Sequence, residues 1–97
     1  MSKLTIIANF TAKADKIDLV KTAFLTLVET TRATDEGCIR YDLHQDNKDK
    51  SKFTVVEIWA SEALLQKHAD SDHFKIFMAT TESMLENFTI NTLTQIA

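Results

Sequence analysis

The 97 residues suffice for one domain, 1–97, with one core: a chain of this size buries roughly 60–65% of the surface its unfolded form exposes. The hydrophobic share of 44% and charged share of 26% are ordinary for a globular protein, and a net charge of -3 without a concentrated basic face argues against nucleic-acid binding. Cys38, the single cysteine, rules out an internal disulfide, and no apolar run approaches the ~18 residues of a membrane span.

Residues 3–11 alternate, with Leu4, Ile6, Ala8 and Phe10 on one side and Thr5, Ile7, Asn9 and Thr11 on the other, which predicts a first strand rather than a secretory leader. The expected location is therefore the cytoplasm. The period then changes. Ile17, Val20, Phe24, Leu27, Val28 and Thr31 recur at steps of three and four, so 15–34 reads as a helix with Asp15 as its N-cap. Gly37 lies just past its end, where a left-handed residue can close it. Residues 38–46 form a second strand, with Ile39, Tyr41 and Leu43 on one face and Cys38, Arg40, Asp42 and His44 on the other. The polar 46–51 segment is a hairpin loop.

Residues 53–60 form a third strand, in which Phe53, Val55, Glu57 and Trp59 oppose Thr54, Val56, Ile58 and Ala60. Ser61 caps a short helix carrying Leu64, Leu65, His68 and Ala69; Asp70-Ser71-Asp72 interrupts it, and Ser71 caps a longer one carrying Phe74, Phe77, Met78, Thr81, Met84 and Leu85. Residues 88–96 form a last strand, with Phe88, Ile90 and Ile96 in one register and Leu93 in the other.

The order β-α-β-β-α-β predicts an α+β domain, a four-stranded antiparallel sheet with its helices on one face. Strands one and three nevertheless carry apolar residues on both faces. An apolar sheet face is costly to leave in water, so a homodimer packed sheet to sheet is expected.

Four side chains fall where strands and helices should meet: Asn9, Trp59, His68 and His73. Asn9, in a strand among apolar neighbours, is either a backbone-bonded structural residue or an amide that positions a substrate. Trp59 either packs the core or walls a pocket for an aromatic ligand. Glu57 alternates with Val55 and Trp59, so it either acts as a partly buried base or pairs with Arg40 or a lysine across the sheet. The Tyr41 hydroxyl is free to bond a ligand. His68 and His73 are five apart across an interrupted turn, unlike the i, i+4 spacing of a helical zinc motif, and no third ligand is visible. No metal is expected. One of these histidines is the better candidate for proton transfer, and His44 is expected to be exposed.

The blocks Glu36-Gly37-Cys38-x-x-Tyr41, Phe53-x-x-x-Glu57-x-Trp59 and His68-x-x-x-x-His73-Phe74, in this order and at this spacing, resemble the antibiotic biosynthesis monooxygenase family in its quinol monooxygenase-like branch. The resemblance covers nearly the whole chain. It implies a dimeric α/β barrel of two ferredoxin-like subunits, each with a pocket between its sheet and helices. It also implies oxidation of a small aromatic, phenolic or quinol-type ligand by O2 without metal, flavin or other cofactor. On this resemblance Asn9, Trp59, His68 and His73 would be catalytic, and Tyr41, Glu57, Phe74 and Phe24 would contact substrate. Phe24, Phe74 and Phe77 are also the residues that can fill the pocket instead. Haem-degrading relatives place an axial histidine in the last long helix, where this chain has Phe77, Met78 and Ala79. Two further readings share the scaffold. One is an isomerase of a phosphorylated signalling-molecule breakdown product, with Glu57 or a histidine as base and Arg40 as phosphate contact. The other is a non-catalytic small-molecule-binding dimer.

Overall fold

The computed structural model describes residues 3–97. Its elements are β1 (Leu4–Ala12), α1 (Ile17–Thr34), β2 (Cys38–Gln45), β3 (Lys52–Trp59), α2 (Glu62–Ala69), α3 (Asp72–Thr81), a 3-10 turn (Glu82–Met84) and β4 (Leu85–Leu93). The expected α+β fold is present as βαββααβ, with α2 and α3 together filling the second helical slot. The strands lie in the order β2-β3-β1-β4, all antiparallel, in a ferredoxin-like arrangement. No described helix is long and apolar enough to cross a membrane.

Alternation decides which side chains the helices cover. Ile6, Ala8, Phe10 and Ala12 of β1, with Phe53, Val55 and Trp59 of β3, are buried beneath Val20, Phe24, Leu27 and Val28 of α1. Phe24 sits at the centre of an aromatic cluster. Its ring meets Phe10 edge-on at 5.0 Å, Phe77 at 4.6 Å and Phe53 at 5.6 Å. On the uncovered face, Ile7 pairs with Val56 and Thr5 with Ile58, and all four are half-buried by their own neighbours.

Three local expectations change. The N-cap position of α1 is Lys16, not Asp15. A backbone turn makes the side-chain cap unnecessary: Lys16 N–H donates to Lys13 O, and Lys16 O accepts from Val20 N–H. Ile39 does not share a face with Tyr41. A bulge between Cys38 and Arg40 leaves it 52% exposed and turns Cys38 toward the core. The last strand begins at Leu85 and ends at Leu93, not 88–96, because Leu93 pairs with Thr5 near the start of β1 and later residues have no partner. Ile96 is accordingly exposed. Ser61 and Ser71 cap α2 and α3 as expected, accepting from Leu64 N–H and Phe74 N–H.

Candidate functional site

A glycine positions the site. Gly37 has φ +80, and a Cβ placed there would lie 2.3 Å from Leu64 Cδ1. Only glycine can both turn the chain out of α1 and let α2 approach so closely. His68 lies one turn beyond Leu64, on the same side of α2, and this approach carries it to Asp35 at the end of α1. His73 arrives from the first turn of α3. The turn between the helices is fixed by Ser71, whose hydroxyl donates to His68 O at 2.6 Å.

Asp35 is the hub. One of its carboxylate oxygens meets His68 Nδ1 in a short hydrogen bond, and the carboxylate meets His73 Nε2 at 2.8 and 3.0 Å. A carboxylate only accepts, so both rings donate to it. For neutral rings this fixes the tautomers, with lone pairs at His68 Nε2 and His73 Nδ1. His68 Nε2 faces the Tyr41 hydroxyl at 3.4 Å, so the phenol donates to it. Tyr41, His68 and Asp35 thereby form one chain of hydrogen bonds from the interior to the rim. Burial pushes Asp35 up, but the hydrogen bonds from His68 and His73 outweigh it and hold the carboxyl below its usual range. Burial dominates at His68 and lowers its pKa, despite the opposing pull of Asp35.

Behind this rim lies a buried polar patch. Tyr41 and Glu57 are cross-strand partners, and Trp59 follows Glu57 by two, so all three share the helix-covered face. Trp59 Nε1 donates to Glu57 Oε1 at 2.9 Å. Burial pushes Glu57 up to about 7, against the opposing effect of that bond. Tyr41 is raised above the ordinary phenol range, again chiefly by burial and then by Glu57. The His68 ring lies 4.8 Å from Trp59 and 5.1 Å from Phe74. Burial raises Cys38 to about 11, which keeps it a thiol and makes it a poor nucleophile.

Six of the expected residues therefore come together: Tyr41, Glu57, Trp59, His68, His73 and Phe74. Asn9 is not among them. It lies exposed on the uncovered face, where its Oδ1 accepts from the Thr54 hydroxyl at 2.7 Å, in a polar groove with His44 and Lys52. Phe24 belongs to the aromatic cluster that fills the interior, and Trp59 is wholly buried. Glu57 does not pair with Arg40, which bonds Asp42 at 2.6 Å on the other face, beside Arg32. The isomerase reading thus finds no phosphate contact in Arg40 at this site. His44 is exposed as expected.

Asp35 escaped the sequence reading. It precedes the Glu36-Gly37-Cys38 block but stands 33 and 38 residues from the two histidines, and only the fold joins them. The one available signal was an acid at the junction of a helix and a glycine turn. Thr31 lies on the covered face of α1 as expected, with its Oγ1 buried and without a hydrogen-bond partner among the described residues.

Two surface grooves flank the cluster. One, of about 380 Å³, runs between α1 and α3; Ala23, Leu27, Ile76 and Phe77 line it, and His73 supplies its imidazole. The other, of about 370 Å³, reaches the edge of Asp35 beside Lys67 and Asp72, with His68 buried behind it.

Residues 3–80 match the sequence model of the antibiotic biosynthesis monooxygenase family. Among solved structures, PA3566 from Pseudomonas aeruginosa is 35% identical, with a TM-score of 0.94, covering 100% of this chain and 97% of that one. A structure described as an antibiotic biosynthesis monooxygenase is 29% identical, with a TM-score of 0.91 over 97% of this chain and 99% of its own. Among curated proteins, the Bacillus subtilis protein named "Putative monooxygenase YcnE" is 33% identical over 60 residues, 62% of each chain. The uncharacterized protein sll1783 of Synechocystis is 26% identical over 82 residues, 84% of this chain and 55% of that protein. The chain thus spans little more than half the length of the curated relatives it matches.

Proposed function

Since this chain belongs to the antibiotic biosynthesis monooxygenase family, we propose that it oxidises a small phenolic or quinol-type compound with O2, with the substrate as reductant, as in the quinol monooxygenase-like branch. The observation that carries this reading is Asp35 bonded to two imidazoles, one of which opens on an apolar groove. The ring of a small phenol fits against Ala23, Leu27 and Phe77, with its hydroxyl toward His73.

Asp35 accepts from His73 Nε2–H, which leaves Nδ1 as the base and stabilises the imidazolium formed when it takes the phenol proton. The phenolate is electron-rich enough to reduce O2. For a phenol with a free para position the balance is phenol plus O2 to para-quinone plus water. One oxygen atom enters the ring and the other leaves as water, with both hydrogens of that water drawn from the substrate. His73 takes the first proton and can return it to the leaving oxygen. Asn9 has no part in this scheme, and Trp59 acts as the wall on which His68 rests.

We further propose that two copies pack through the uncovered sheet face, where Ile7, Val56 and Ile58 form an apolar strip.

Oxygen-electrode assays with a panel of substituted phenols and hydroquinones test the activity. Uptake is expected with at least one of them, with kcat reduced about 100-fold or more in His73→Ala and Asp35→Asn. No uptake from any of them, while a ligand still raises Tm, would establish a binding protein instead.

A further inference from the structure

The geometry points to a second occupant for the Asp35–His68–His73 cluster: a single borderline divalent cation such as Zn²⁺ or Co²⁺. Two imidazoles and a carboxylate supply one atom each, and the three atoms lie within 4.8 Å of one another. Zinc bonds of about 2.0–2.2 Å set neighbouring ligand atoms roughly 3–3.5 Å apart. The Asp35–His73 contacts, at 2.8 and 3.0 Å, are already close to that separation. The short His68–Asp35 contact must open slightly, and the imidazoles must converge. Two nitrogens and one oxygen favour zinc-like ions over Mg²⁺ or Ca²⁺, which take oxygen ligands. The groove at the edge of Asp35 gives water the open coordination position.

A second observation concerns the protons. The cluster's hydrogen bonds place N–H at His68 Nδ1 and His73 Nε2, the two atoms an ion needs. Both rings must therefore move a proton to the other nitrogen. At His68 that nitrogen faces the Tyr41 hydroxyl, which must then stop donating to it and accept instead. Tyr41 needs a new acceptor for its own proton. Thr31 Oγ1 supplies one: it is fully buried, lacks a partner among the described residues, and lies beside the Tyr41 hydroxyl. In the ion-bound state Tyr41 donates to it. At His73 the same change puts a proton on Nδ1. If the proposed activity holds, the ion competes with the base, because the lone pair that would take the phenol proton is gone.

Cobalt titration of the chelator-treated, intact chain tests binding without any substrate. The expected result is one equivalent of Co²⁺ with the visible bands of a low-symmetry nitrogen–oxygen site, displaced by Zn²⁺. Asp35→Asn and His73→Gln should each weaken it at least about tenfold, the lower end of what even supporting residues of metal sites contribute. His44→Ala should leave it unchanged, and circular dichroism confirms that the variants fold. Nitrogen-15 NMR of the histidines should show His68 passing from the Nδ1–H to the Nε2–H tautomer as zinc is added. Affinity unaffected by both cluster substitutions, or no binding at millimolar Co²⁺, overturns the site. Because no turnover is measured, failure of the oxygen assays has no bearing on this result.

Discussion

Two carboxylates near the site have their acidities moved in opposite directions by their neighbours. Asp35 receives two imidazole N–H groups and is held low; Glu57 receives one indole N–H, too little to offset burial, and rises from 4.5 to about 7. The sign at Glu57 follows from linkage: a raised acid binds its proton more tightly when folded, so its contribution is fully present below pH 4.5 and is lost as pH rises through 7. The loss is on the order of 3 kcal/mol. Glu57→Gln keeps an acceptor for Trp59 and removes the titration. Its Tm should match wild type near pH 4.5 and exceed it above pH 7. His68, with its pKa lowered below 6.5, acts in the opposite sense in the acid range, so the difference between the two proteins is the quantity to read. Parallel Tm curves would show that the carboxylate reaches water. That Glu57 faces inward was legible in the sequence, because period-two alternation ties it to Val55 and Trp59. Its partner was not: Arg40 was the obvious cation, yet it lies on the opposite face and bonds Asp42.

Among the elements, local signals that act within a few residues were readable, and those set by long-range pairing were not. Ser61 and Ser71 show their capping role directly before each helix. The end of β4 depends on where β1 begins, which no pattern inside β4 reports. The bulge at Ile39 is of the same kind, since it exists only relative to β3. Gly37 combines both. Its turn was expected, but the Leu64 side chain against it appears only in three dimensions. Gly37→Ala should destabilise the fold by about 2 kcal/mol or more, from left-handed strain together with displacement of Leu64. Urea unfolding measures this. Because α2 is pushed outward, the His68–Asp35 bond should weaken too, seen as a His68 NMR titration moved from that of wild type. An Ala variant as stable as wild type would mean that Leu64 yields freely.

At the scale of the whole molecule, the two faces of the sheet are unequally occupied. The helix-covered face is filled by Phe10, Phe24, Phe53 and Phe77. The other presents Ile7, Val56 and Ile58 between the Arg40–Asp42 pair and Asn91. Sedimentation of the wild-type chain at micromolar concentration should give twice the monomer mass. Ile58→Lys, which puts a charge into that strip, should sediment as a monomer with an unchanged circular dichroism spectrum. A monomeric wild type would leave the strip as ordinary surface.

The helix that lies over Trp59 is fastened in an unusual way. The only buried residue of α2 is His68; Leu64 and Leu65 are half-covered. Most amphipathic helices adhere through a row of aliphatic side chains, whose hold does not depend on acidity. Here the hold runs through an imidazole, and a second proton on that ring both enlarges the cost of its burial and ends its acceptance from Tyr41. Acidification therefore weakens the attachment of α2. The bond to Asp35 at the end of α1 is what keeps the imidazole of this short helix against the indole.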